Sequence, residues 1–426
     1  MVTKLYIHFF DAAFLIRDNT VQLFYVNKKV IYRVFLWTLL IFSAYFLYRI
    51  APTLSKADYL PVDDFVIYWA GGRLNINGDN PLDPQKIEQL QIAAGGESSG
   101  TDMRSIMLNP PWAMSLVMPL GLVSYSASRF WWLIFSIIVI LISSLLLWQI
   151  YSGNPKQRWL ALLVVFIFAP TISVLEKGQI SSLILLGLTG FLYFTVINRN
   201  DWIAGAFLSL ASIKPQVAYL FWIALLFWII QERRWLLIIS TSITLLLLTL
   251  ITWIFNPHIF QQYLGMLQTY QLSNWANPTI GSYLRFFWFG IDKFWLQFLP
   301  SIFGGIWIIY YWIKNHSSWS WVKELPILLL VSHITSSYTW TYDQVILIPA
   351  ILQATVWILA DWKRLSTFFL AMFYLSINML DLILHRTLSD FWFIWMAPAL
   401  LILYLLIRWQ YVKKNQDNIK VVSAIL

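Results

Sequence analysis

RFWWLIFSIIVILISSLLLWQI, residues 129–150, carries one charge, at Arg129, and none after it. At ~1.5 Å per residue a helix of this length reaches roughly 33 Å, enough to cross ~30 Å of hydrocarbon. A helix that is apolar all round needs lipid or a protein core on every face. Comparable runs recur near 32–51, 159–175, 180–197, 202–213, 216–231, 234–255, 294–313, 322–337, 344–360, 365–382 and 391–408. The pattern predicts an all-α polytopic membrane protein with about 12 transmembrane helices.

Composition agrees. The 426 residues are 59% hydrophobic and 12% charged, whereas soluble domains are about one quarter charged. The 18% aromatic share, with 25 Trp, suits two interfacial belts. The net charge of +9 sits in short loops beside apolar runs, so it marks membrane topology, and no nucleic-acid partner is expected. With no Cys there are no disulfides or thiolate metal sites. The five His lack metal-ligand spacing, and no GxGxxG, P-loop, HExxH or Asp-x-Asp occurs. Neither a metal nor a nucleotide cofactor is expected.

Residues 1–31 read as a cytoplasmic amphipathic lead-in, 32–410 as one membrane domain and 411–426 as a cytoplasmic tail. The apolar segment 112–122, WAMSLVMPLGL, is too short to cross comfortably. If it lies in the interface, both termini are cytoplasmic, with 18 of 29 Lys/Arg and 7 of 20 Asp/Glu inside. Basic residues favour the cytoplasmic side, so this arrangement is preferred. It leaves a large first external loop, 52–128. The loop 256–293 and the turns at 176–179, 213–216 and 336–343 fall on the same side.

The chemically interesting residues gather there. In DDFVIYWAGGRL, 63–74, Asp63 and Asp64 can be solvated loop charges or a helix cap. Tyr68 shares a helix face with Asp64 at i, i+4, and a carboxylate so held could also act as a general base toward an alcohol. NPLDP (80–84) and NPPWAM (109–114) set loop shape and helix starts. In EKGQIS, 176–181, Gly178 fits a helix cap, while Gln179 enters the next apolar run and needs a polar partner. In SIKPQ, 212–216, the short preceding run places Lys214 below the membrane surface. A buried lysine wants an anion, either Glu176 or Asp343, or a lipid phosphate or diphosphate. NWANPTIGSYLRFF (274–287) and SHITSSYTWTYDQ (332–344) mix polar groups with aromatics, including Asn277, Arg285, Tyr338, Trp340 and Asp343. Such a mixture suits a sugar, and equally an aromatic belt around a capped turn.

The ordered set DF…Y…G…NP, NPPW…PLGLVS, GQ, KPQ, NPTIGSYLR and SYTW, over residues 60–345, resembles glycosyltransferase family 87, a GT-C-type membrane family that includes polyprenol-phosphate-mannose-dependent alpha-1,2-mannosyltransferases. The resemblance implies a hexosyltransferase in the plasma membrane. Its donor would be a polyprenyl-phosphate sugar, its acceptor a lipid or glycan, and its active site extracytoplasmic. It implies inversion at the anomeric carbon with Asp64 as general base, Asp63 being the fallback. Lys214 and Arg285 would hold the donor phosphate. Tyr68, Gln179, Asn277, Tyr338, Trp340 and Asp343 would line the sugar or acceptor site. One departure is TYDQ, where related members often carry histidine. Membrane lipids are the remaining partners.

A transporter or flippase would carry mid-span charges and internal repeats. Neither is evident. A lipid-linked glycan ligase or polymerase shares most of these features and stays open.

Overall fold

The computed structural model describes Trp37, Ala44 and residues 64–96, 106–269, 275–360 and 365–425. The chain divides into units 1–44 and 45–426, and the second is described below. Asp63, the N-terminal lead-in and nearly all of the first expected span lie outside the described residues. No strand occurs among those described.

Three short helices come first: α1 (Val66–Ile76), α2 (Pro84–Ala93) and α3 (Pro111–Val117), the last running into a 3-10 turn at Met118–Leu122. The NPLDP motif is the start of α2. Asp83 Oδ1 accepts from the N–H groups of Gln85 and Lys86, and Pro84 occupies the first turn. There follow α4 (Tyr125–Ile150), α5 (Arg158–Phe166), α6 (Ala169–Glu176), α7 (Ser181–Val196), α8 (Asp201–Ala211), α9 (Tyr219–Glu232), α10 (Trp235–Phe255) and α11 (Ile259–Thr269). The C-terminal part comprises α12 (Ile280–Tyr283), α13 (Leu299–Asn315), α14 (Trp321–Thr335), α15 (Ile348–Ala360), α16 (Leu365–Leu384) and α17 (Met396–Ile425).

Among the described residues, seven helical segments are long and apolar enough to cross a membrane. An eighth arises if the segments 155–166 and 169–176, bent by 64° with Pro170 just past the break, count as one span. The expected twelve is therefore not confirmed among the described residues, which leave out nearly all of the first expected span. The runs at 180–197, 202–213 and 322–337 form helices of 16, 11 and 15 residues, short of the ~20 a crossing needs. Local chemistry trims them. α7 starts only after a left-handed turn at Gly178. α8 is capped by Asn200, whose Oδ1 accepts from the Ile203 N–H, and stops ahead of Lys214-Pro215.

α10 shows what surrounds the bundle. Only Leu237, Ser240 and Thr252 of its 21 residues are buried, while Leu246, Leu247 and Ile254 are more than half exposed. So much bare aliphatic surface fits hydrocarbon rather than water. α7 is its opposite, with Leu183, Ile184, Leu185, Leu188, Phe191 and Leu192 all buried.

Candidate active site

Asp64 lies one residue before a fully buried Phe65, which anchors the start of α1 against Tyr125 and Trp132 of α4. Trp69 adds a hydrogen bond from Nε1 to the Val123 carbonyl at 3.0 Å. The second glycine of the Gly71-Gly72 pair is explained by packing. A Cβ on Gly72 would strike the Val117 carbonyl, and one on Gly121 the backbone of Arg73. α1 thus lies directly against the α3 segment, with Asp64 exposed and Tyr68 buried.

The EKGQ turn meets α1 from the other side. Gly178 has φ of +63°, and a Cβ there would collide with Phe65 and crowd the Arg129 guanidinium. Arg129, fully buried, donates from Nη2 to the carbonyls of Leu175 (2.9 Å) and Glu176 (2.6 Å), closing the C-terminal end of α6. Trp132 Nε1 donates to the Gly178 carbonyl at 2.9 Å. The turn delivers Gln179 to α1. Its Nε2 donates to Asp64 Oδ2 at 2.9 Å, and its Oε1 accepts from the Tyr68 hydroxyl at 2.7 Å. Burial, and after it the charge of Asp64, pushes the Tyr68 hydroxyl well above its ordinary pKa. Tyr68 therefore stays a donor and fixes which end of the Gln179 amide faces Asp64.

Lys214 enters the same network. Its Nζ lies 2.8 Å from Asp343 Oδ1, 3.4 Å from Gln179 Oε1 and 3.4 Å from Ser181 Oγ. Of the two acids open to it in the sequence, Asp343 is the partner. The Lys214 side chain is 12% exposed and that of Asp343 2%, so the pair is nearly dry. Ser181 also donates to Asp343 Oδ1, at 2.5 Å, and Asp343 Oδ2 accepts from the Trp340 N–H at 3.1 Å. The ammonium stands 4.9 Å from the centre of the Tyr342 ring.

These groups open onto a cavity of about 900 Å³. Asp64, Tyr68, Gln179, Lys214, Tyr338, Trp340 and Asp343 all line it. Trp275 completes an aromatic wall, 5.5 Å from Tyr338 and 6.2 Å from Trp340 between ring centres. Asn109 of the NPPW motif also lines the cavity while donating to the Ile213 carbonyl at 3.2 Å.

Two other residues singled out in the sequence lie behind this wall. Arg285 and Asn277 do not line the cavity. Arg285, 1% exposed, donates to Gln297 Oε1 at 2.9 Å and to the Ile291 carbonyl at 2.8 Å. Asn277 accepts from Ser282, Thr279 and Gln297. Gln297 Nε2 reaches the Ser337 carbonyl at 2.5 Å, so this polar knot ties the NPTIGS loop to the SYTW loop.

Sequence reasoning passed over one charged group. Lys177 Nζ is 2.8 Å from Asp390 Oδ2, and Asp390 Oδ1 is 2.9 Å from His385 Nε2. His385 Nδ1 faces Asp381 Oδ2 at 3.2 Å. Lys177, His385 and Asp390 line the cavity. A histidine and two acids at the ends of apolar runs were the only available signal. Among the described residues, no group of three His, Asp or Glu side chains is spaced to hold a metal ion.

A family model for glycosyltransferase family 87 matches residues 108–337. Comparisons with curated proteins and with solved structures give no match. The matched stretch contains Asn109, Lys177, Gln179, Lys214 and Trp275. Asp64 precedes it, and Tyr338 to Asp343, His385 and Asp390 follow it.

Proposed function

The chain belongs to glycosyltransferase family 87, and from this membership we propose a specific reaction: transfer of a hexose, mannose in the first instance, from a polyprenyl-phosphate donor to a hydroxyl of a lipid or glycan acceptor at the outer face of the plasma membrane. A membrane glycosyltransferase is what the family implies. The observation that carries the finer reading is the exposed Asp64 carboxylate sharing one cavity with Lys214 and an aromatic wall.

In this reading Asp64 takes the proton of the acceptor hydroxyl as its oxygen attacks the anomeric carbon. The bond from that carbon to the phosphate oxygen breaks on the opposite face, and its electron pair leaves on the phosphate. Configuration inverts. Gln179 holds Asp64 through one oxygen. Lys214, already oriented by Asp343, stabilises the negative charge gathering on the leaving phosphate. Trp275, Tyr338 and Trp340 offer ring faces to the C–H side of a sugar. Asp63 is the fallback base. Arg285 and Asn277 act through the loops they brace.

The test is sugar transfer in nanodiscs, with polyprenyl-phosphate-linked mannose, glucose and arabinose and a lipid extract as acceptor. The wild type should transfer mannose, and Asp64→Asn should lose at least ~100-fold. Transfer unchanged in Asp64→Asn would remove Asp64 as the base. No transfer with any donor would overturn the reaction and favour lipid flipping, which a scrambling assay reads.

A further inference from the structure

The Lys177–Asp390–His385 group is more than a strut. His385 has a carboxylate oxygen at each ring nitrogen, Asp381 at Nδ1 and Asp390 at Nε2. A neutral imidazole has one N–H and could serve only one of them, whereas an imidazolium serves both. Burial works against that charge, but the two carboxylates outweigh it and raise the pKa to about 9. Asp381 is buried at 2% exposure and is absent from the cavity lining, so its charge is spent on the back of the ring. The cavity meets two cations, Lys177 and His385, sharing one carboxylate, Asp390. The Lys177 side chain is one third exposed. It stands 5.3 Å from the centre of the Tyr342 ring, the ring that also carries Lys214 at 4.9 Å.

We infer that Lys177, backed by the charge of His385, forms a second anion-binding subsite of the cavity, which takes a phosphoryl group of the lipid-linked donor alongside Lys214. The inference rests on the proposed glycosyl transfer for its choice of donor over acceptor. Recognition of a phosphoryl group stands without it. An arriving phosphate oxygen replaces Asp390 as the nearest anion to Lys177 and gains charge-assisted hydrogen bonds from the ammonium. A purely structural role would instead make the ion pair a clamp between the EKGQ turn and the segment after α16.

The test is binding of farnesyl phosphate to the full-length protein in nanodiscs, with farnesol as the phosphate-free control and thermal unfolding read in parallel. This readout requires no turnover, so it stays informative if glycosyl transfer fails. Wild type should bind farnesyl phosphate at least ~10-fold more tightly than farnesol. Lys177→Ala should lose about 10-fold for farnesyl phosphate and nothing for farnesol, and Lys177→Arg should restore binding. Asp390→Asn removes the competing anion and should bind farnesyl phosphate as tightly as wild type or more tightly. Equal affinity of wild type for the two probes would overturn the subsite, whatever the variants do. So would parallel loss of binding in Lys177→Ala and Asp390→Asn, the outcome a clamp predicts. In transfer assays the same Lys177→Ala change should raise the donor KM. A rise confined to the acceptor KM would overturn the assignment to the donor.

Discussion

Gln179 Nε2 donates to Asp64 Oδ2 at 2.9 Å, joining residues 115 positions apart. The amide can point only one way, because its oxygen already accepts from Tyr68 and lies near Lys214. The carboxylate lining the cavity is thus oriented by a buried phenol two hydrogen bonds away.

Tyr68→Phe should therefore act on rate more than on affinity. Losing one hydrogen bond costs ~1 kcal/mol. Stability should fall by about that amount, and kcat by roughly threefold to tenfold, with the donor KM unchanged. Initial-rate kinetics and thermal unfolding check both. A raised donor KM with intact kcat would mean that the hydroxyl meets the sugar directly.

Lys214→Met strands Asp343 in a site where its side chain is 2% exposed. Removing one partner of a buried ion pair costs about 3–5 kcal/mol. The double change Lys214→Met with Asp343→Asn should recover most of that stability and none of the transfer activity. A double-mutant cycle on unfolding and on rate separates the two effects.

Gly178→Ala places a Cβ at positive φ and against Phe65 and the Arg129 guanidinium. Left-handed strain and overpacking each cost roughly 1–3 kcal/mol. The variant should unfold at lower temperature and lose kcat together with stability, because Gln179 follows immediately. Stability kept within ~0.5 kcal/mol of wild type would show that the turn relaxes freely.

The charge on His385 gives a pH dependence of known sign. Its pKa is about 9 in the folded protein, above the unperturbed 6.5, because Asp381 and Asp390 outweigh burial. The folded state holds that proton more tightly than the unfolded chain. The resulting stabilisation is complete below pH ~6.5 and is lost as pH rises through about 9. The difference in unfolding temperature between wild type and His385→Gln should be largest near pH 6 and should shrink on the way to pH 10. A difference that does not change between those limits would contradict an imidazolium at this position.

Much of the cavity was legible in the sequence because charge is so scarce in this chain. Asp64, Gln179, Lys214 and Asp343 stand at the ends of apolar runs, and the expected twelve-span topology would put all four on one side. The structure gathers them around one cavity. Arg285 was indistinguishable from a ligand-facing cation in the sequence. Only its contacts to Gln297 and the Ile291 carbonyl show that it is spent inside the protein. The Lys177–Asp390 pair spans 213 positions, beyond any local pattern. Span number was hard to read for a different reason. Hydropathy sees the apolar run but not the glycine turn or the proline that cuts α7 and α8 short of a crossing.

Tyr342 has a consequence of its own. Its ring is the common neighbour of Lys177 and Lys214, and it stacks on Trp340 with an angle of 18° between the planes. Two grips that share one bearing surface cannot be adjusted separately. A change at Trp340 that lets the phenol tilt will loosen both hands at once. On the proposed reaction, a route to a new sugar specificity through the aromatic wall is therefore also a route to losing the lipid that would carry the sugar.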